Sequence, residues 1–180
     1  MNASRIVYRS RQFLDALFSA PMADDLGMVS DLLDPAQMTL FRQMHRSEQA
    51  HSIRVVQTVL SKSEGLGKTD QHDLLVAALL HDVGKSRYPL QIWDRILIVL
   101  GKRLFPGAVR RLGNREPRGW WRAFVVAEQH ANWGAEMAAR AGASRLSVNL
   151  IRRHQDSPSS GDGGIEDRLL LIMQSADQEL

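Results

Sequence analysis

The 180-residue chain contains no cysteine. That absence excludes disulfides and thiolate ligation, so any metal held here must be bound through nitrogen and oxygen. No stretch approaches the roughly 20 consecutive apolar residues of a membrane span. The first residues carry Arg5, Arg9, Arg11 and Asp15 and lack the unbroken apolar segment of a secretory signal, so the cytoplasm is the expected location. Alternation of apolar and polar positions is missing too, as is any internal repeat, which leaves a helical fold.

What is present suits one domain: 180 residues that are 44% hydrophobic can bury roughly 70% of the unfolded surface. The periodicity predicts a short amphipathic piece at 11–18 and a loop containing Pro21 and Gly27. Asp34-Pro35-x-Gln37 then reads as an N-cap, a first-turn proline and a capping-box partner. Helices are expected at about 35–45 and 47–62, followed by a break at Gly65 and Gly67 and a central helix capped by Thr69. Further helices fall at about 90–104, 120–129, 131–141, 144–154 and 165–178, with Gly142 as a C-cap and a loop at 157–164. The division expected is a helical extension at 1–34 and a domain at 35–180, with a basic, apolar helical insert at about 86–122.

The sharpest local feature is His81-Asp82, directly after the wholly apolar run 74–80. A helix apolar on every side belongs in a core, and a carboxylate at its end needs something to neutralise it. Other imidazoles and one other carboxylate also sit on apolar helical faces. His51 is followed by Val55 and Val59, His130 is preceded by Val126 and Ala127, His154 by Leu150 and Ile151, and Asp177 by Leu170 and Met173. Residues three or four apart share a face, so all of these groups should point inward. Imidazoles and carboxylates gathered in a core suit a divalent cation.

The order His, His-Asp, His, His, Asp resembles the HD superfamily of metal-dependent phosphohydrolases, and Leu80-His81-Asp82-Val83-Gly84-Lys85 is similar to the HD-x-G-K form of its signature. His51-Ser52-x-Arg54-Val55 resembles the family's first-histidine helix, and Ser175-Ala176-Asp177 its last motif. The resemblance implies an all-α HD-domain helical bundle. It also implies that His51, His81, Asp82 and Asp177 hold a first metal, that His130 and His154 serve a second, and that Asp82 bridges the two. The implied cofactor is a pair of divalent transition-metal ions drawn from Fe, Mn, Co or Ni, with Mg also admissible. Such ions lower the pKa of bound water enough to supply a hydroxide nucleophile at neutral pH. Asp82 and Lys85 are the expected catalytic residues, and Lys85, Arg87 and Arg152 the expected substrate-binding ones.

Two departures refine this. Single-metal members often carry a glutamate three residues after the aspartate of the His-Asp pair; here that position is Lys85, which favours two metals and suits phosphate binding by a point charge. Gln155 replaces the adjacent second histidine of the cyclic-dinucleotide phosphodiesterases, and 157–164 lacks their Gly-Tyr-Pro motif, which argues against cyclic di-GMP cleavage.

Between Lys85 and Arg122 lie ten basic residues against two acidic ones, so this segment carries +8 of a chain total of +3 and the rest sums to −5. It could wall the site and attract a phosphorylated small molecule or nucleotide, or residues 92–122 could lie on an anionic membrane surface as a peripheral contact. A buried helix with a solvated basic face is the plainer alternative. Trp120-Trp121-Arg122 could anchor at an interface or stack a nucleobase, but no base-reading motif accompanies it, and no specific nucleic acid is expected. His45 and His72 fall outside the ligand set, and Gly65-x-Gly67-Lys68-Thr69 lacks the spacing of a phosphate loop. The leading reading is hydrolysis of a phosphoester or nucleotide at a dinuclear His/Asp site. The alternatives are an HD-type di-iron oxygenase, which shares the ligand order, and a non-catalytic metal-containing regulatory or membrane-docking module.

Overall fold

In the computed structural model, which describes residues 20–157 and 164–179, all regular structure is helical. The described residues form α1 (Ala23–Leu32), α2 (Pro35–Gln43), α3 (Arg46–Lys62), α4 (Lys68–Leu80), α5 (Ile92–Leu104), α6 (Pro106–Gly113), α7 (Arg122–Arg140), α8 (Arg145–Arg153) and α9 (Ile165–Gln178). Short 3₁₀ turns stand at Val83–Arg87 and Gly119–Trp121. The expected helical piece at 11–18 lies outside the described residues, as does most of the loop expected at 157–164.

The run 74–80 of α4 is buried throughout and forms the axis of the core. Around it pack Phe41 of α2, Ile53 and Val56 of α3, Leu150 and Ile151 of α8, and Leu169 and Met173 of α9. Each such side chain contributes about 1.5–3 kcal/mol by leaving water, so this layer supplies most of the drive to fold. Val29 of α1 and Leu33 join the same core.

Three local expectations are corrected and one helix is added. Gly27 lies inside α1 instead of a loop, because Asp25 accepts from the Met22 backbone N–H at 3.1 Å and Val29 anchors the helix in the core. Gly67, not Thr69, is the N-cap of α4. The helices expected at 120–129 and 131–141 are one, since nothing between Gln129 and Gly134 removes a backbone donor or forces a turn. Finally, 106–113 forms α6, started by Pro106 at its first position. The cap at Asp34 is as read, with Gln37 Oε1 accepting from the Asp34 N–H at 3.3 Å.

Both α5 and α6 rest on α7. Gly101 of α5 faces the Phe124 ring so closely that a Cβ there would lie 2.6 Å from it, and a Cβ at Gly113 of α6 would meet the Glu128 side chain at 2.2 Å. An Asp94–Arg122 ion pair of 2.9 Å ties α5 to the start of α7. A close backbone approach joins the turn after α4 to α7: a Cβ on Gly84 would lie 1.9 Å from the His130 carbonyl oxygen, and one on Gly134 3.2 Å from the Gly84 nitrogen. Only glycine permits this contact, which presses His81-Asp82 against the helix that carries His130.

Candidate metal centre

All six side chains singled out on apolar faces converge. His51 comes from α3, His81 and Asp82 from the end of α4, His130 from α7, His154 from the end of α8 and Asp177 from α9. They form two groups, His51 with His81 and Asp177, and Asp82 with His130 and His154; within each, one ligand atom per residue lies within 4.8 Å of the others. The groups adjoin, since the His81 and His154 rings are 5.1 Å apart and His81 Nε2 is 3.6 Å from Asp82 Oδ2. His81, Asp82, His130 and His154 are buried, while His51 and Asp177 stand at the partly open edge.

Three histidines are oriented by the same device. Nδ1 of His81, His130 and His154 faces the carbonyl of Ala78, Val126 and Ile151 at 2.9, 2.9 and 2.7 Å. A carbonyl can only accept, so each Nδ1 carries the proton and each neutral ring turns an Nε2 lone pair toward the centre. His130 Nε2 consequently faces Asp82 Oδ1 at 3.3 Å with no hydrogen bond between them, a buried nitrogen without a partner among the described residues. Two lone pairs that close repel, and a cation shared by both relieves the contact. His51 Nε2 lies 2.7 Å from Asp177 Oδ1, and His81 Nε2 is 3.7 Å from the same oxygen. The donor set of imidazole nitrogens and carboxylate oxygens fits a divalent metal.

Electrostatics keep the donors in ligating form. Burial would push the Asp82 carboxyl up, but the Lys85 ammonium beside it holds it well below the usual carboxylate range. Burial likewise opposes ionisation of Asp177, and the His51 hydrogen bond brings it down. Desolvation pushes His154 down to about 3, so its ring stays neutral at physiological pH. Lys85 is pushed down by burial and raised overall by Asp82 and Glu48. Its Nζ donates to Asp82 Oδ2 at 2.6 Å.

A cavity of about 890 Å³ opens at the centre, where His154 and Asp177 line its floor and Lys102, Arg110 and Arg152 its sides. A smaller one of about 190 Å³ reaches Lys85 and His130, and Lys102 and Gln155 line both. Arg152 is therefore where a substrate anion could meet it. Arg87 lines neither of these two cavities; it is exposed, and its guanidinium lies 5.2 Å from the Trp133 ring centroid.

Sequence reading missed several supports. Glu48, buried one turn before His51, pairs with Arg95 of α5 at 2.9 Å and bears on Lys85. Gln174, one turn before Asp177, donates Nε2 to the carbonyls of His154 and Asp156 at 3.1 and 2.9 Å and fixes the end of α8. Arg153 holds Glu166 and Asp167 at 2.8 and 2.7 Å, tying α8 to the start of α9. Glu48 and Gln174 both stand three residues before a ligand candidate, and that spacing could have revealed them.

The fold and this constellation are those of an HD domain, and the chain matches the HD domain family over residues 49–179. It belongs to that family, within the HD superfamily of metal-dependent phosphohydrolases. No curated protein and no solved structure matches the chain.

Proposed function

We propose that this protein is a metal-dependent phosphohydrolase that cleaves a phosphoester or nucleotide-type substrate at a dinuclear centre. His51, His81 and Asp177 would hold one ion, His130 and His154 the other, and Asp82 would offer one oxygen to each. The observation that carries the reading is the unpartnered His130 Nε2 facing Asp82 Oδ1 at 3.3 Å beside a second ready-made donor group. When bound, divalent ions supply Lewis acidity toward phosphoryl oxygens and lower the pKa of water by several units. The chain's own groups do the rest. Backbone carbonyls fix the tautomers, Lys85 offers a charged donor to phosphate beside Asp82, and Lys102, Arg110 and Arg152 draw an anion into the cavity.

The test is metal content of protein purified without chelator, followed by turnover of aryl phosphates and a nucleotide panel with Mn, Fe, Co, Ni and Mg. Two ions per chain and turnover abolished by Asp82→Ala are expected. Unchanged turnover in that variant overturns the reading, and oxygen consumption without phosphate release transfers the site to oxygenase chemistry.

A further inference from the structure

The outer face of α5 is apolar where a surface helix should be polar. Trp93, Leu100 and Leu104 are 74, 51 and 60% exposed, and Phe105 and Trp120 beside them are 67 and 62% exposed. Leu100, Leu104, Phe105 and Trp120 line a groove of about 260 Å³ between α5, α6 and the second 3₁₀ turn, walled almost wholly by apolar atoms. These residues turn away from the metal centre, because the opposite flank of α5 carries Arg95 and Lys102 toward its cavities.

Charge says what such a face can meet. Both acidic residues of the segment are engaged, Asp94 by Arg122 and Glu116 by Arg118. Arg103, Arg111 and Arg115, which line neither cavity of the metal centre, form no ion pair among the described residues. Exposed tryptophan and leucine flanked by basic side chains suit the headgroup boundary of an anionic bilayer. A second copy of the same face would set like charges against each other, and residues 1–19 carry three arginines against one aspartate. No helix among the described residues is long and apolar enough to cross a membrane.

We infer that the α5–α6 hairpin and Trp120 form a docking surface for an anionic lipid bilayer. The test uses the full chain with vesicles of phosphatidylcholine alone or with one-third phosphatidylglycerol, at low and high salt. The wild type should bind the anionic vesicles at least about tenfold better than neutral ones, release at high salt, and shift its tryptophan emission to the blue. Trp93→Glu combined with Leu104→Glu should lose that binding. Both positions are largely exposed, so the melting temperature should hold, and the wild-type emission shift reads docking without any variant. Absent binding at low salt, equal binding to neutral vesicles, or a variant that still binds overturns the proposal. A wild-type dimer that ignores vesicles and is dissolved by the variant overturns it in favour of self-association.

Discussion

Lys85 sets its ammonium 2.6 Å from Asp82 Oδ2, on the opposite side of the carboxylate from His130, which faces Oδ1 at 3.3 Å. The carboxylate is thus held between a fixed cation and a lone pair. Removing the lysine leaves a buried charge less balanced. Lys85→Met should destabilise metal-free protein by about 2–3 kcal/mol, with Mn²⁺ restoring much of the loss. KM for a phosphoester should rise more than kcat falls. Chemical denaturation with and without metal, alongside steady-state kinetics, checks both.

Gly84→Ala places a methyl 1.9 Å from the His130 carbonyl oxygen, where backbone must move. It should cost on the order of 3 kcal/mol or more and lower metal affinity. Gly27→Ala and Gly107→Ala, in helices with nothing within 4 Å of the added carbon, should stabilise by roughly 0.5–1 kcal/mol. Equal melting temperatures for all three variants would contradict the close approach.

Acid should weaken the chelator-stripped protein through three groups of the same sign. His154 is held near 3 when folded, whereas an unfolded histidine takes up a proton near its ordinary 6.5. Its neutral ring therefore costs stability progressively as pH falls from about 6.5 toward 3. Asp82 and Asp177 are held below the ordinary carboxylate value of 3.8 when folded, so their contributions are present above it and fade beneath it. Denaturant midpoints measured from pH 7.5 to 4 should fall, and His154→Gln should flatten the decline between pH 6.5 and 5.

Metal should stabilise the fold. At a hundredfold excess over Kd one ion adds about 2.7 kcal/mol. Mn²⁺ should raise the melting temperature of the wild type, His130→Ala should lower the bound count from two ions to one, and Asp82→Ala should abolish the thermal shift. Calorimetric titration reads the stoichiometry directly.

Gln174 acts through the backbone, its Nε2 holding the carbonyls at the end of α8, that of His154 included. Gln174→Leu keeps the volume and removes the donor. Metal affinity should drop by about tenfold, while Gln174→Glu, which keeps only an acceptor, should fare no better.

The six converging groups were legible because each stands three or four residues from apolar neighbours, a spacing that aims a helical side chain inward whatever the rest of the chain does. The caps at Asp34 and the run 74–80 were legible for similar local reasons. The stacking of Arg87 was not legible, because sequence shows it only as basic and two residues beyond Lys85. In a 3₁₀ turn, with about three residues per turn, that step points it away from the lysine and onto Trp133. The periodicity assigns no separate helix to 106–113, and α6 is anchored by the buried Val109, which faces Gly101 of α5. The Glu48–Arg95 pair spans 47 positions, a distance at which periodicity is silent.

His51 and Asp177 meet across 126 positions. During synthesis the first imidazole leaves the ribosome long before its carboxylate partner exists, and the nascent chain can offer only an incomplete nitrogen-rich nest. On the two-ion reading the site of His51 and His81 is completed only when α9 docks, and Asp177→Asn, which spares the Leu169 and Met173 packing of that helix, should forfeit one ion and leave the other on Asp82, His130 and His154.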